Sequence, residues 1–450
     1  MIFVIFIISI LCCYFLYLLD CRFVSYDKFT AGKIIIYFTI PPIISLFTLS
    51  LGQDKIDLYV FHRIAHAYRN FGDLILATFI PLLTLIFTYV GYIFAVKVNT
   101  KNSFLKRVLY PIVRCIDDKK LFKNSSLLYF FALIIFFVLL TKIGGLSAYW
   151  EDVNSRVENL GGLGYLNKGY VFVLIFSSNL LCIYFFGKGK QLLPTLLIVF
   201  SCVCLSLLGS RSTTLSFLIS LIISYNFFVK PIKKLVSFNT ILIVLTMLVF
   251  ILGVVKLREN GAIEKYSSDP VQLAVDMQDS FERHVIMRFS RVERDIIIFS
   301  YFSEHDLWYG KSYTSLFTAP IPRAFYSEKP PIDTGMYLVK IAQGGIVNFP
   351  ERMDSLPSYS WPTGNSEAYM NFHFPGLIIA MLISGFVFGK IYLLIFEFNY
   401  RPYFIVFYSM LCFGGAPNMS VMGIVNLLTY FAFFLITLVI LNTLSIRIRR

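Results

Sequence analysis

Apolar residues arrive in this chain in near-continuous blocks of about 17–24, and that block length constrains the fold more than any other feature. A helix of such length reaches across roughly 30 Å of hydrocarbon, and in a bilayer only helices and closed barrels satisfy their own backbone polar groups. The pattern predicts an all-α polytopic membrane protein with about 11 transmembrane helices (10–12). The spans are expected near 2–19, 31–51, 73–96, 126–142, 170–187, 191–209, 212–229, 238–256, 374–396, 403–422 and 424–444. Composition agrees, with 57% hydrophobic and 15% charged residues against about half and about a quarter in soluble domains. The first block has no basic flank before it and no small-residue cleavage site after it. It is therefore expected to be a span rather than a signal peptide.

Lys and Arg in the short loops set the expected orientation. The stretch 97–125 holds Lys97, Lys101, Lys106, Arg107, Arg114, Lys119, Lys120 and Lys123, which makes it cytoplasmic. Alternation then puts Lys188, Lys190, Lys230, Lys233, Lys234, Lys390, Arg401 and the terminal Arg447, Arg449 and Arg450 on the same side. The opposite loops are poor in such residues. This arrangement predicts a multi-pass membrane protein with its N-terminus outside and its C-terminus in the cytoplasm. Much of the net charge of +14 is then topogenic and needs no nucleic acid to explain it; the anionic inner leaflet suits it.

The eight cysteines fall in spans or on the cytoplasmic side, and no pair has zinc-site spacing. Neither a disulfide framework nor a structural metal is expected. His62 and His66 lie four apart, as two helical metal ligands can, but no third ligand accompanies them.

One soluble element stands out, which divides the chain into residues 1–256 with eight spans, a large extracytoplasmic loop 257–373, and 374–450 with three spans and the cytoplasmic end. The loop carries fifteen of the 26 acidic residues, and twelve basic ones counting Lys256. A connection this long is expected to be functional. Within it, 276–303 has helical periodicity: His284, Arg288, Arg291 and Asp295 form a polar stripe beside Val285, Phe289, Val292, Ile296 and Phe299. Such a stripe is an ordinary solvated face or part of a binding surface. The stretch "LFTAPIPRAFYSEKPP" (316–331) has four prolines that forbid a continuous helix, and its apolar lead-in suggests a segment dipping into the membrane interface.

Several residue types could carry chemistry. Arg211 sits in the tight turn "GSRST" between two apolar blocks. It either snorkels to headgroups or binds an anion, with its fork of donors matched to phosphate and a helix N-terminus beside it. Arg288 and Arg291 share a helix face, and Arg323 follows Pro322 on a rigid backbone. At "TGNSEAYMNFHFPG" (363–376), Glu367 and Asn371 lie four apart and point the same way on a helix. Glu367 is either a first-turn carboxylate favoured by the helix dipole or a general base at the membrane boundary. His373 is the other candidate for that base.

The ordered segments "GGLSAYWEDVNSR", "GSRST", "APIPRAFYSEKPP" and "GNSEAYMNFHFPG" resemble those of the Wzy-type oligosaccharide repeat-unit polymerases of O-antigen and capsule synthesis. The topology matches over nearly the whole chain, the motifs over only about fifty residues. The family more often has glycine after "NF", where this chain has His373. The resemblance implies a GT-C-like membrane glycosyltransferase without metal or other cofactor. Its donor and acceptor would be undecaprenyl-diphosphate-linked oligosaccharides, with a chain-length regulator as a partner protein and the lipid bilayer as its medium. It implies a diphosphate region of Arg211, Arg288, Arg291 and Arg323, with Arg156 a further candidate. It also implies catalytic Glu367 or His373, sugar contacts from Asn371, Tyr369 and Trp361, and stacking on Trp308 or Tyr313. An O-antigen ligase would share the spans and the loop. A lipid-linked sugar flippase would want charges inside the spans, where they are scarce here, and would have little use for so long an outer loop.

Overall fold

The computed structural model describes residues 1–25, 27–51, 71–98, 104–114, 116, 120–145, 162–208, 211–232, 272, 275–276, 292–321, 325–326, 328–413 and 416–447. Among these the chain is all-helical. In chain order the helices are α1 (Ile2–Phe23), α2 (Ala31–Leu51), α3 (Phe71–Lys97), α4 (Phe104–Val113), α5 (Leu121–Ile143), α6 (Gly164–Gly187) and α7 (Leu192–Leu208). There follow α8 (Arg211–Phe228), α9 (Val292–Glu304), α10 (Lys311–Thr318), α11 (Gly335–Ala342), α12 (Ser366–Glu397), α13 (Pro402–Leu411) and α14 (Val421–Arg447).

Six of the described helices are long and apolar enough to cross a membrane: α1, α3, α5, α6, α12 and α14. Parts of α2 and α8, together with α7 and α13, are apolar but shorter. This is a membrane protein with several apolar helices, and the eleven crossings expected from block length are not all present as helices of crossing length. The block at 238–256 lies outside the described residues. The block at 403–422 is corrected outright. Its helix α13 stops at Leu411, residues 416–420 are non-helical, and α14 begins at Val421. Ten helical residues cover only about 15 Å. The sequence "GGAP" at 414–417 gives the reason: glycines are poor helix formers, and Pro417 has no N–H to donate.

The chain forms two compact units. One comprises residues 1–100, 288–393 and 414–429, and the other 101–287, 394–413 and 430–450. In the second unit, α6 is the inner helix, buried over most of its length and packed on α5, α7, α8 and α13. Small polar side chains tie these helices together: Asn179 Nδ2 donates to Ser220 Oγ at 2.9 Å, Ser178 and Ser201 share a 3.0 Å bond, and Ser224 and Ser409 a 2.8 Å bond. Such interhelical bonds hold apolar helices where hydrocarbon offers no hydrophobic incentive to pack. The basic stretch expected to be a plain loop contains α4, which buries Leu109 and Val113 one turn apart. Arg401 Nη1 donates to the Val113 carbonyl at 2.7 Å and closes that helix.

The first unit holds α1–α3, α9–α11, most of α12 and the start of α14. Asp20 and Lys33 form a fully buried ion pair at 3.6 Å. Asp20 also accepts from Thr30 Oγ1 at 2.5 Å and Tyr92 Oη at 3.1 Å, while Lys33 Nζ donates to the Ser25 carbonyl at 2.7 Å. Helices α3 and α12 meet backbone to backbone: a Cβ on Gly385 would overlap the Thr88 carbonyl, and one on Gly91 the Leu382 carbonyl. With Gly389 one turn on, this is the small-residue spacing that lets apolar helices approach closely. Outside the apolar helices, residues 292–361 build an aromatic core in which Trp308 lies 5.0 Å from Phe349, 5.6 Å from Tyr337 and 5.5 Å from Phe302.

Candidate functional site

Gly364, at φ +59°, turns the chain so that α12 begins at Ser366. Glu367, in the first helical turn, is fully buried. Burying a carboxylate is costly unless donors replace its water, and three converge here. Ser312 Oγ of α10 donates to Oε1 at 2.7 Å, Thr334 Oγ1 donates to Oε2 at 2.7 Å, and the Val421 N–H at the start of α14 donates to Oε2 at 3.2 Å. The carboxylate does cap a helix, but the helix is α14 rather than its own. Asn371, also fully buried, extends the tie: its Nδ2 donates to Ser312 Oγ at 2.8 Å and to the Glu367 carbonyl at 2.9 Å. Its Oδ1 is buried, with no hydrogen-bond partner among the described residues.

One turn later α12 is broken. Phe372 (φ −140°, ψ 18°) and His373 (φ 57°, ψ −156°) leave helical geometry before the long apolar stretch resumes. The His373 conformation belongs to a region that glycine populates and side chains rarely do. His373 is exposed, and its Nε2 shares a 3.2 Å hydrogen bond with Tyr369 Oη. Tyr369 is itself buried, edge-on to Phe299 at 4.4 Å.

Beside this tie lies a cavity of about 260 Å³. Its apolar wall comes from α2 (Ile35, Phe38, Pro42), α3 (Ile80, Pro81) and Met381 of α12. Its polar wall comes from Arg294 and Asp295 of α9, Asn365 and Ser366, and Asn418 of the non-helical segment. That segment is pinned at two depths of α12. Met419 N–H donates to Asn365 Oδ1 at 2.8 Å, and Ser384 Oγ donates to the Pro417 carbonyl at 2.6 Å, midway along the helix. Irregular backbone among apolar helices is stable where it lines a cavity or is covered by protein. Here it does line one. Asp295, largely buried, accepts from Ser366 Oγ at 2.5 Å.

A second, polar pocket of about 250 Å³ lies among Thr314, Thr318, Tyr326, Glu328, Glu351 and Arg352. Glu351 pairs with Lys340 at 2.6 Å. Burial alone would raise its carboxyl, but hydrogen bonds from Lys340, the Asn348 N–H and Ser355 hold it below the usual carboxylate range.

The residues expected to act together divide sharply. Glu367, Asn371 and Tyr369 are brought together, but as buried ties, with no face open to a sugar. Trp308 is likewise core, 4% exposed, rather than a stacking platform. Tyr313 is half-buried, lies parallel to Phe372 and donates to the Met419 carbonyl at 3.0 Å. Trp361 is half-buried, and its backbone lies so close to Gly335 that a Cβ there would overlap its carbonyl. Arg211 is the first residue of α8, with its side chain outside the described atoms. Arg156, Arg288, Arg291 and Arg323, like His62 and His66, lie outside the described residues. Among the described residues no three His, Cys, Asp or Glu side chains cluster as metal ligands would.

The polar stripe of 276–303 did not include Arg294, three positions after Arg291, and spacing gave no sign of the hydroxyls Ser312, Thr334 and Ser366. Helical spacing alone could have found Arg294. Comparison with protein-family models, with characterised proteins and with solved structures finds no match.

Proposed function

We propose that the chain is a membrane glycosyltransferase that joins undecaprenyl-diphosphate-linked oligosaccharide repeat units on the outer face of a bacterial cytoplasmic membrane. The observation that supports this reading most is the mixed wall of the larger cavity. A lipid-linked sugar needs an apolar surface for its carrier, a cation for its phosphates and hydrogen-bonding groups for its hydroxyls. The α2–α3–α12 wall offers the first, Arg294 the second, and Asn365, Ser366, Asn418 and Asp295 the third. The order of sequence motifs supports the same class of substrate independently.

In such a transfer the acceptor hydroxyl oxygen attacks the anomeric carbon of the donor. The bond from that carbon to the diphosphate breaks with its electron pair, and the hydroxyl proton passes to a base. Charge gathers on the leaving diphosphate, where a preorganised guanidinium stabilises it. The test in cells is deletion of the gene followed by analysis of surface glycans. A polymerase deletion leaves single repeat units on their final acceptor. A ligase deletion instead leaves long polymer on the carrier lipid, an outcome that would replace this reading.

A further inference from the structure

The base expected from the sequence, Glu367, is sealed behind Ser312, Thr334 and the Val421 N–H, and its side chain is not part of the cavity wall. Another carboxylate is part of it. Asp295 comes to the cavity from α9, next to Arg294, and is held by Ser366, the residue immediately before Glu367. We propose that Asp295 is the catalytic base that takes the proton of the acceptor hydroxyl, and that Glu367 is a positioning residue that holds the start of α12 against α10 and α14. This proposal rests on the transferase reading above.

Three features fit Asp295 to the task. It is more than nine-tenths buried, so few waters compete for its oxygens. The Ser366 hydroxyl donates to Oδ1 at 2.5 Å and fixes the plane of the carboxylate. That leaves Oδ2 as the carboxylate oxygen not engaged by Ser366. Arg294, one position away, lines the same cavity and supplies positive charge where the diphosphate would leave. The step balances: the acceptor O–H bond breaks, and its proton goes to Asp295. The oxygen's electron pair forms the new glycosidic bond, and the old anomeric C–O pair leaves on the diphosphate. Glu367 has the opposite character. Its two oxygens serve three donors on three segments that are 55, 33 and 54 residues away in the chain.

The test uses the full chain in nanodiscs with a defined undecaprenyl-diphosphate-linked repeat unit, measuring the rate of lengthening, substrate binding and thermal unfolding. A wild-type protein that does not lengthen the glycan removes the transferase reading itself. With an active wild type, Asp295→Asn is expected to slow transfer by about 10²–10⁴-fold while unfolding and substrate affinity stay near wild type. Asp295→Glu is expected to recover part of the rate. Glu367→Gln is expected to lower the unfolding temperature and to keep measurable transfer below it. The proposal is overturned if folded Asp295→Asn transfers within about threefold of wild type, or if folded Glu367→Gln loses transfer as completely as Asp295→Asn is expected to.

Discussion

At the scale of single residues, the surroundings of each polar group decide its role. Glu367 replaces three sets of water contacts at once. Truncation to alanine leaves the Ser312 and Thr334 hydroxyls and the Val421 N–H without that acceptor, and each such buried group costs about 1–3 kcal/mol. Glu367→Ala is therefore expected to destabilise the protein by about 3 kcal/mol or more, measured by thermal or denaturant unfolding in detergent; a loss below about 1 kcal/mol contradicts the tie. His373 permits a cleaner test. His373→Gly and His373→Ala both lose the bond to Tyr369, but only glycine relieves φ 57°, ψ −156°. The glycine variant is expected to be the more stable by about 1 kcal/mol, within the 1–3 kcal/mol typical of such backbone strain. Equal stabilities would show that the backbone at 373 is not strained. Glu351 has a pH signature. Its carboxyl is held below its ordinary value, so its contribution is complete above the unfolded value of about 4.3. It is lost as the pH falls through the lower, folded value. Glu351→Gln is expected to flatten the acid limb of an unfolding-against-pH profile and leave its shape above pH ~5 unchanged.

At the scale of elements, close approach and exposure decide. Helices α3 and α12 meet where Gly385 faces the Thr88 carbonyl, so Gly385→Ala forces the two backbones apart. Overpacking of this kind costs about 1–3 kcal/mol, and the measurement is the detergent melting temperature. The spacing Gly385-x-x-x-Gly389 was visible in the sequence, although which helix it faced was not. Residues 309–321, with Phe325 and Tyr326, have the reverse character. Phe317 is 84% exposed and Phe325 86% exposed, and so much bare aromatic surface suits the membrane interface rather than water. A Phe325→Trp variant in bilayers with brominated acyl chains is expected to show quenching beyond that of the three native tryptophans. No added quenching would place the segment in water. The non-helical residues 416–420 before α14 illustrate the limit of hydropathy. Average apolarity across 403–422 reports residence among apolar groups, not helical geometry, and the glycines and Pro417 decide the geometry. Their presence was legible; the hydroxyl of Ser384 and the amide of Asn365 that catch the resulting turn were not.

At the scale of the whole molecule, block length correctly implied an all-helical membrane protein, because bilayer thickness leaves the backbone few other options. Site identity was harder to read. Proximity in a helix is local, so the Glu367–Asn371 pairing followed from spacing alone. Burial is not local. The partners that remove Glu367 from solvent come from three distant segments, and nothing in the order of residues announces that Ser312 or Thr334 will reach it. The same holds for Asp295, which looked like one member of a surface stripe until Ser366 was brought against it. The most direct measurement of the central claim is reconstitution. Purified chain in nanodiscs is mixed with a single undecaprenyl-diphosphate-linked repeat unit, and the lipid-linked products are resolved by mass. A polymerase gives a ladder of integral multiples of the repeat unit, still bearing the carrier diphosphate. Single units that remain single, or that merely cross the bilayer unlengthened, would contradict it.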